Sequence, residues 1–372
     1  MRRSPSRKPR GRIKVGVVYG GRSVEHEVSL VSARAIMDAL DPRRYTVVPI
    51  LVGKDGRWPV RQIERLLGRS SGLDVVIPMI HGTDGEDGAL QGLLTLAGVP
   101  FVGSAVLGSA VGMDKAVMKA LLVDAGLPTV RHRVVLWPEF EADPAGAAAI
   151  VERHCGLPLF VKPANGGSSV GVNKVRDRES LEPALRLAFR YDRKVIVERA
   201  VDAREIECSV LGNDRPEASV LGEIVPAGEF YDYAAKYQDT GSRLIIPAPL
   251  EAAQAVLARD LALRAFQALD LSGMARVDLF LDRVTGGLFL NEVNTLPGFT
   301  PISMYPKLWA ASGLSFPRLV DRLVRLAFER RRQREELVTE YRPVKKPARP
   351  AAPKGERRRE ERAPVEKRRL RA

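Results

Sequence analysis

From residue 13 onward, short runs of apolar and β-branched residues alternate with stretches of helical period. "IKVGVVY" leads through "GGRS" into "EHEVSLVSARAIMDALD"; "YTVVPILV" comes next, then "LDVVIPMIHG" and a second helical stretch, "DGALQGLLTLAG". Apolar runs of this length, broken by glycine turns and separated by helical periods, predict a parallel sheet wrapped by helices. This unit spans residues 13–103 and ends at "VPFVGS".

A second unit, 104–200, contains the helix "DKAVMKALLVDAG". Gly126 and Pro128 close it, as glycine and a following proline do at helix C-termini. Strands "LPLFVKP", "VGVNKV" and "KVIVERA" follow, broken by a loop rich in Gly and Ser. The third unit, 201–328, carries "REIECSVLG", "EASVLGEIV", a polar loop at 227–243, a helix from Glu251, and the strands "GMARVDLFL" and "GLFLNEV". Strand pairs without intervening helices predict an antiparallel sheet. The closing helix, "FPRLVDRLVRLAFERRR", puts Leu319, Leu323 and Phe328 on one face and is expected to pack on the body. Beyond residue 340 Pro, Lys, Arg and Ala dominate and no apolar period survives, the composition of a disordered tail. The expected fold class is α/β, α+β overall, with three domains between basic extensions at 1–12 and 329–372. Its 372 residues exceed what one core usually holds, roughly 250 to 300.

The net charge of +14 looks at first like a nucleic-acid signal. Residues 1–14, however, hold seven Lys and Arg and no acid, and residues 329–372 hold seventeen basic against eight acidic side chains. The excess therefore sits in the appendages, and the middle of the chain is close to neutral. Polyanion or nucleic-acid contact is a side role at most for those ends. The two cysteines, Cys155 and Cys208, have no CxxC or Cys/His spacing that suits zinc and read as buried thiols of a reducing compartment. "MRRSPSRKPRGRIK" leads into only six uncharged residues before "GGR", and no apolar run reaches membrane-spanning length. A soluble, cytoplasmic protein is expected, without membrane insertion. GxxxxGK[ST] and GxGxxG are missing, and "HEVSL" has Leu30 where a metalloprotease needs its second His, so any nucleotide site is of another type.

Several constellations carry chemistry. Residues two apart on a strand share a face, so Glu292 and Asn294 in "NEVNTLPGFTPISMYP" point together and away from Val293, and the apolar Leu290 is not expected to share their face in the same way. If the last two strands pair through "DRVTGG", Asp278 comes opposite them. Two carboxylates and an amide oxygen are hard donors of the kind Mg²⁺ takes alongside phosphates and water. A solvated hairpin with polar ends is the alternative. "KPANGGSSVGV" sets Lys162 at a strand end before a loop able to turn N–H groups toward an anion, or is only a surface turn. "GGRSVEHEVSL" and "HGTDGEDG" follow strands of the first sheet, where open α/β sheets hold ligands. Glu25 there also suits a helix start, and His81 a turn. "GEFYDYAAKY" at 228–237, with three tyrosines and a lysine, reads as a lid or as an idle mobile loop.

Taken in order, these stretches resemble the ATP-grasp ligases, and within them the D-alanine–D-alanine ligase family. The resemblance covers residues 13–328 through seven motifs: "GGRSVEHEVSL", "HGTDGEDGALQG", "MDK", "KPANGGSSVGV", "GEFYDYAAKY", "RVDLFL" and "NEVNTLPGFTPISMYP". It implies a three-domain fold with ATP between the second and third units, and ATP-dependent coupling of two D-alanine molecules through an acylphosphate for peptidoglycan synthesis. By position, Lys115, Lys162 and Ser169 would contact ATP, Glu198 on the adenine side and Glu205 at the ribose. Asp278, Glu292 and Asn294 would hold two Mg²⁺ (or Mn²⁺). Arg276 and the Gly298 N–H match the family's oxyanion donors. Glu25 looks like the anchor for the first substrate's ammonium, with His81 beside it. Ser168, Tyr237 and Glu25 match a hydrogen-bonded set joining lid, central loop and first domain, and Lys236 resembles the lid lysine that reaches the phosphate. Ser303, with Met304 adjacent, matches the second substrate's carboxylate site. Tyr237 favours the dipeptide over a D-lactate product, and Ala234 departs from the acid many relatives carry in the lid. The family implies a homodimer; D-serine or D-lactate as second substrate is the alternative.

Overall fold

The computed structural model describes residues 11–59, 72–167, 170–226, 241–338 and 341. Its first sheet is the parallel one: β1 (Ile13–Gly20) lies between β2 (Tyr45–Val52) and β3 (Val75–Pro78), parallel to both. Parallel neighbours need a crossover, and helix α1 (His26–Ala39) supplies the one from β1 to β2. Helix α2 (Ala89–Ala97) follows β3, and Phe101 adds a parallel bridge to Val76 at the sheet edge. Four of eight residues in β1 are fully or nearly fully buried in succession, Val15 to Val18, the run expected of a strand covered on both faces.

Helices α3 (Val106–Met113) and α4 (Lys115–Asp124) lead to a four-stranded antiparallel sheet in the order β4-β7-β5-β6. Its strands are β4 (His132–Leu136), β5 (Leu159–Pro163), β6 (Asn173–Val175) and β7 (Lys194–Arg199). Three helices, α5 (Trp137–Ala142), α6 (Pro144–Cys155) and α7 (Leu181–Ala188), pack on it and close a separate apolar cluster with Val135, Val161 and Val197. Strand β4 and these helices were not read from the sequence. In α6 the buried positions are Ala147, Ala148, Val151 and Cys155, small side chains that give little apolar contrast, and α7 is only eight residues long.

The third sheet is antiparallel throughout, in the order β10-β9-β8-β11-β12. It comprises β8 (Ala203–Gly212), β9 (Glu217–Val225), β10 (Arg243–Ile245), β11 (Gly273–Asp282) and β12 (Leu288–Asn294). Helix α8 (Ala252–Ala268) covers one face, burying Ala258, Leu261, Ala262, Ala265 and Phe266 in a cluster that also takes Met118 and Leu122 of α4. The expected hairpin is present, with Asp278 directly opposite Glu292. The next pair is Leu279 with Leu290, so Asn291 is an extra residue in β12. Strict alternation would place Leu290 on the Glu292 face; the bulge resets the alternation, and Leu290 is fully buried while Glu292 is not.

Helix α9 (Met304–Ala311) precedes the long helix α10 (Phe316–Glu336), whose Leu319, Val320, Leu323, Val324 and Ala327 are buried. These share one cluster with Val15, Val17 and Ile77 of the first sheet and with Leu211 and Met274 of the third. At about 1.5–3 kcal/mol for each fully buried Val or Leu, this face of α10 is a main tie between the two sheets. All three sheets lie in a unit that runs to Arg334, and residues from Glu335 form a second. Among the described residues no helix is long and apolar enough to cross a membrane.

Candidate active site

One cleft is lined by all three sheets and their loops. Lys115 is the first residue of α4, behind Asp114, whose carboxylate accepts the N–H groups of Ala116 and Val117 at 3.1 Å each and pairs with Lys194. This cap fixes the helix start and so aims Lys115, whose Nζ donates to Gly166 O at 2.7 Å and stands 3.8 Å from Glu292 Oε2. Lys162, on β5, donates to Glu198 Oε2 at 2.6 Å. On the other oxygen, Lys119 Nζ lies 3.0 Å from Glu198 Oε1. Burial pushes the Glu198 carboxyl up, but the two ammonium groups more than offset this and hold it at about 2. Glu198 thus sits behind Lys162 at 2 % exposure, while Glu205 on β8 lines the cleft itself.

Across the third sheet Glu207, Asp278 and Glu292 occupy one row, on β8, β11 and β12. Like charges side by side in a sheet repel, and cations lie against this row. Arg276, two residues before Asp278 on the same face, grips it in a two-pronged contact, with Nε to Oδ1 and Nη2 to Oδ2 both at 2.7 Å. Its Nε is also 3.2 Å from Glu207 Oε2. Burial disfavours the charged guanidinium, yet Asp278 and Glu207 hold its pKa well above the ordinary arginine value. Asn294 Oδ1 accepts the Leu296 N–H at 3.0 Å, and an amide oxygen keeps a second lone pair. Two adjacent carboxylates and this amide form a hard-oxygen set that fits a divalent cation coordinating phosphate. Among the described residues no group of three or more His, Cys, Asp or Glu side chains is placed as a metal cluster.

The first sheet contributes the opposite wall. Glu25 stands at the N-cap position of α1, makes no capping hydrogen bond with its side chain, and is 8 % exposed. A Cβ built on Gly167 would come 2.6 Å from Glu25 Oε2, so the central loop passes against this carboxylate only because that position carries no side chain. His81 Nδ1 lies 3.3 Å from Glu86 Oε1 and its Nε2 3.3 Å from Ser32 Oγ, which accepts the Phe299 N–H at 3.2 Å. Burial lowers the His81 pKa, but Glu86 outweighs it and the net shift is upward. This chain of contacts joins the first sheet to the loop bearing Gly298, where a Cβ would approach Ser303 Oγ to 2.8 Å. Ser303 Oγ itself lies 2.8 Å from Thr300 Oγ1. Met304 begins α9; its side chain packs with Ile224 and Leu308, leaving its backbone N–H at the helix N-terminus.

Of the residues singled out in the sequence, Glu25, His81, Lys115, Lys162, Glu205, Arg276, Asp278, Glu292, Asn294, Gly298, Ser303 and Met304 line this cleft. Glu198 is set back from it. Ser168, Ser169, Lys236, Tyr237 and Ala234 lie outside the described residues. Four neighbours of the site were not read from the sequence: Ser32, Glu86, Lys119 and Glu207. Lys119 had a signal, since it stands one helical turn after Lys115 on the same face. Glu207 shares a strand face with Glu205 by simple alternation.

Residues 121–325 match the family model "D-ala D-ala ligase C-terminus", and residues 14–67 and 60–104 match "D-ala D-ala ligase N-terminus". A D-alanine–D-alanine ligase of Geobacillus kaustophilus is 44 % identical over 365 residues, covering 90 % of this chain and 99 % of that protein. Among solved structures, the D-alanine-D-alanine ligase from Coxiella burnetii superposes with a TM-score of 0.76 at 35 % identity, over 87 % of this chain and 96 % of the other. The VanG D-Ala:D-Ser ligase from Enterococcus faecalis gives 0.75 at 34 % identity, over 85 % and 99 %.

Proposed function

Because the chain belongs to the D-alanine–D-alanine ligase family, we propose that it joins two D-alanine molecules into D-alanyl-D-alanine, converting ATP to ADP and phosphate, for peptidoglycan precursor synthesis. One observation carries this reading: Arg276, Asp278 and Glu292 on the third sheet share a single cleft with Lys115 and Lys162 on one side and Glu25 and His81 on the other. Cationic groups for a polyphosphate and an anionic anchor for an amine thus meet at one place.

Glu25 receives the ammonium of the first D-alanine, with His81 beside it. The substrate's carboxylate oxygen attacks the γ-phosphorus, ADP leaves, and an acylphosphate results. Lys115 and Lys162 face the phosphates and offset the charge that phosphoryl transfer gathers, helped by Ser168, Ser169 and the lid lysine, Lys236. Glu205 is assigned to the ribose and Glu198 to the adenine side, where it also braces Lys162. Asp278, Glu292 and Asn294 are the residues that would hold two Mg²⁺ or Mn²⁺ ions, whose charge would stabilise the transferring phosphoryl group. The second D-alanine places its carboxylate at Ser303 and the Met304 N–H, where the helix N-terminus favours an anion. Its deprotonated amine attacks the acyl carbon. The oxyanion formed is met by Arg276 and the Gly298 N–H, donors of a kind whose loss typically costs about 2.7–4 kcal/mol of barrier. Collapse expels inorganic phosphate and leaves the peptide bond. Closure of the 227–243 loop through Tyr237, Ser168 and Glu25 would exclude water from the acylphosphate.

The three-unit division at 103 and 200, a cytoplasmic location and a homodimer complete the proposal. The near-equal likeness to a D-Ala:D-Ser ligase keeps one alternative in play, a different second substrate such as D-serine or D-lactate. Phosphate release with ATP and D-alanine alone, then with each competitor, decides between them with chromatography of the products. No phosphate from D-alanine alone would end the ligase reading; mixed products dominated by D-serine would select the alternative.

A further inference from the structure

Glu207 has no part in the reaction as laid out above, yet it is 4 % exposed on β8, a strand paired on both edges. A buried carboxylate on such a strand is costly to keep without a partner. Arg276 lies against it, and Arg276 is shared: Glu207 Oε2 at 3.2 Å on one side, both oxygens of Asp278 at 2.7 Å on the other. The two carboxylates are directly opposite each other on neighbouring strands, so they reach the guanidinium from adjacent positions of one row.

We propose that Glu207 is the positioning residue that keeps Arg276 in place when Asp278 turns to the metal-bound nucleotide. The inference rests on the ligase reading and extends it. A carboxylate that gives its oxygens to a divalent cation holds an arginine less well, and the cation itself repels the guanidinium. Arginine cannot escape by losing its proton. With Asp278 drawn away, a guanidinium without a second anchor would swing from the acyl oxygen it must meet. Glu207 supplies that anchor from β8, a strand hydrogen-bonded on both edges, which lies across β11 from the strand of Glu292. A glutamate serves here where a neutral residue of equal size would not, because only a charge survives the competition for the guanidinium.

Glu207→Gln keeps the shape and removes the charge; Glu207→Asp keeps the charge on a shorter arm. For Glu207→Gln we expect kcat to fall roughly ten- to a hundredfold, the cost of a misplaced group, with KM for D-alanine unchanged. Binding of Mn²⁺ to the enzyme–ADP complex, read by electron paramagnetic resonance, should weaken several-fold, because an arginine left with one carboxylate competes harder for Asp278. Glu207→Asp should recover part of both losses. A wild-type kcat or wild-type Mn²⁺ affinity in Glu207→Gln overturns the proposal. So does a fall in kcat matched by a lowered melting temperature and a raised KM for D-alanine, the mark of a merely structural role. Failure of the wild-type protein to join D-alanine would instead overturn the ligase reading, and the Mn²⁺ titration would still report on Glu207.

Discussion

Glu198 stands with each carboxylate oxygen against an ammonium group, and Lys119, one of the two, is wholly buried. Removing one member of such a set strands the others without compensation, at a cost of about 3–5 kcal/mol. Glu198→Gln should lose about that much stability in urea unfolding at neutral pH. The sign of its pH dependence follows from the downward shift. The carboxyl is held at about 2 against an ordinary 4.5, so its contribution is complete above pH 4.5 and fades as pH falls toward 2. The gap in melting temperature between wild type and variant should narrow across that window. A gap that widened on acidification would contradict the assignment. Glu292 differs, since it lines the cleft and is more exposed. Glu292→Ala should leave the melting temperature near wild type while turnover drops on the order of a hundredfold or more, the scale seen when a group stabilising transition-state charge is lost. Near-normal phosphate release at saturating Mg²⁺ would remove Glu292 from the metal site.

At the scale of elements, capping and register place these side chains. Asp114 accepts two N–H groups of the α4 first turn and pairs with Lys194 on β7. Asp114→Ala should cost roughly 1–2 kcal/mol of stability and raise KM for ATP, because Lys115 is the next residue; Asp114→Asn should restore the cap and most of the affinity. Calorimetric melts and initial rates against ATP check both. The pairing of "ARVDLFL" with "GLFLNEV" could be read from alternation and the "DRVTGG" turn, and the register confirms Asp278 opposite Glu292. The Asn291 bulge could not be read, because a bulge is a choice made by packing on both faces. Helices α6 and α7 escaped for a related reason: their buried faces are mostly alanine and leucine, and their stability comes from the sheet beneath them.

Across the whole molecule, α10 runs to Glu336 and carries Arg330 into a partly buried position. Arg330 donates to Phe101 O and Ser272 Oγ at 2.8 Å each, and to Gly103 O, with its guanidinium 4.4 Å from the Phe101 ring centre. Burial draws its pKa down to about 10. A chain of residues 13–340 should therefore turn over and melt like the full protein, whereas one ending at 328 should lose about 1.5–3 kcal/mol for a charged hydrogen bond alone. Abolished turnover in the 13–340 chain would tie the basic ends to the active site. Along the chain, the apolar periods, the glycine turns and the acids, amides and lysines at strand ends were enough to foresee a parallel sheet followed by an antiparallel one and to name twelve of the residues that line the cleft. Those features are local: period, turn chemistry and donor type depend on near neighbours. The partners of each charge were hidden. That Glu198 is braced by Lys119, or that Arg276 is divided between Asp278 and Glu207, depends on strands and helices distant in sequence coming together. Only the packed arrangement settles that, because a buried charge takes whichever opposite charge the surrounding backbone brings within reach.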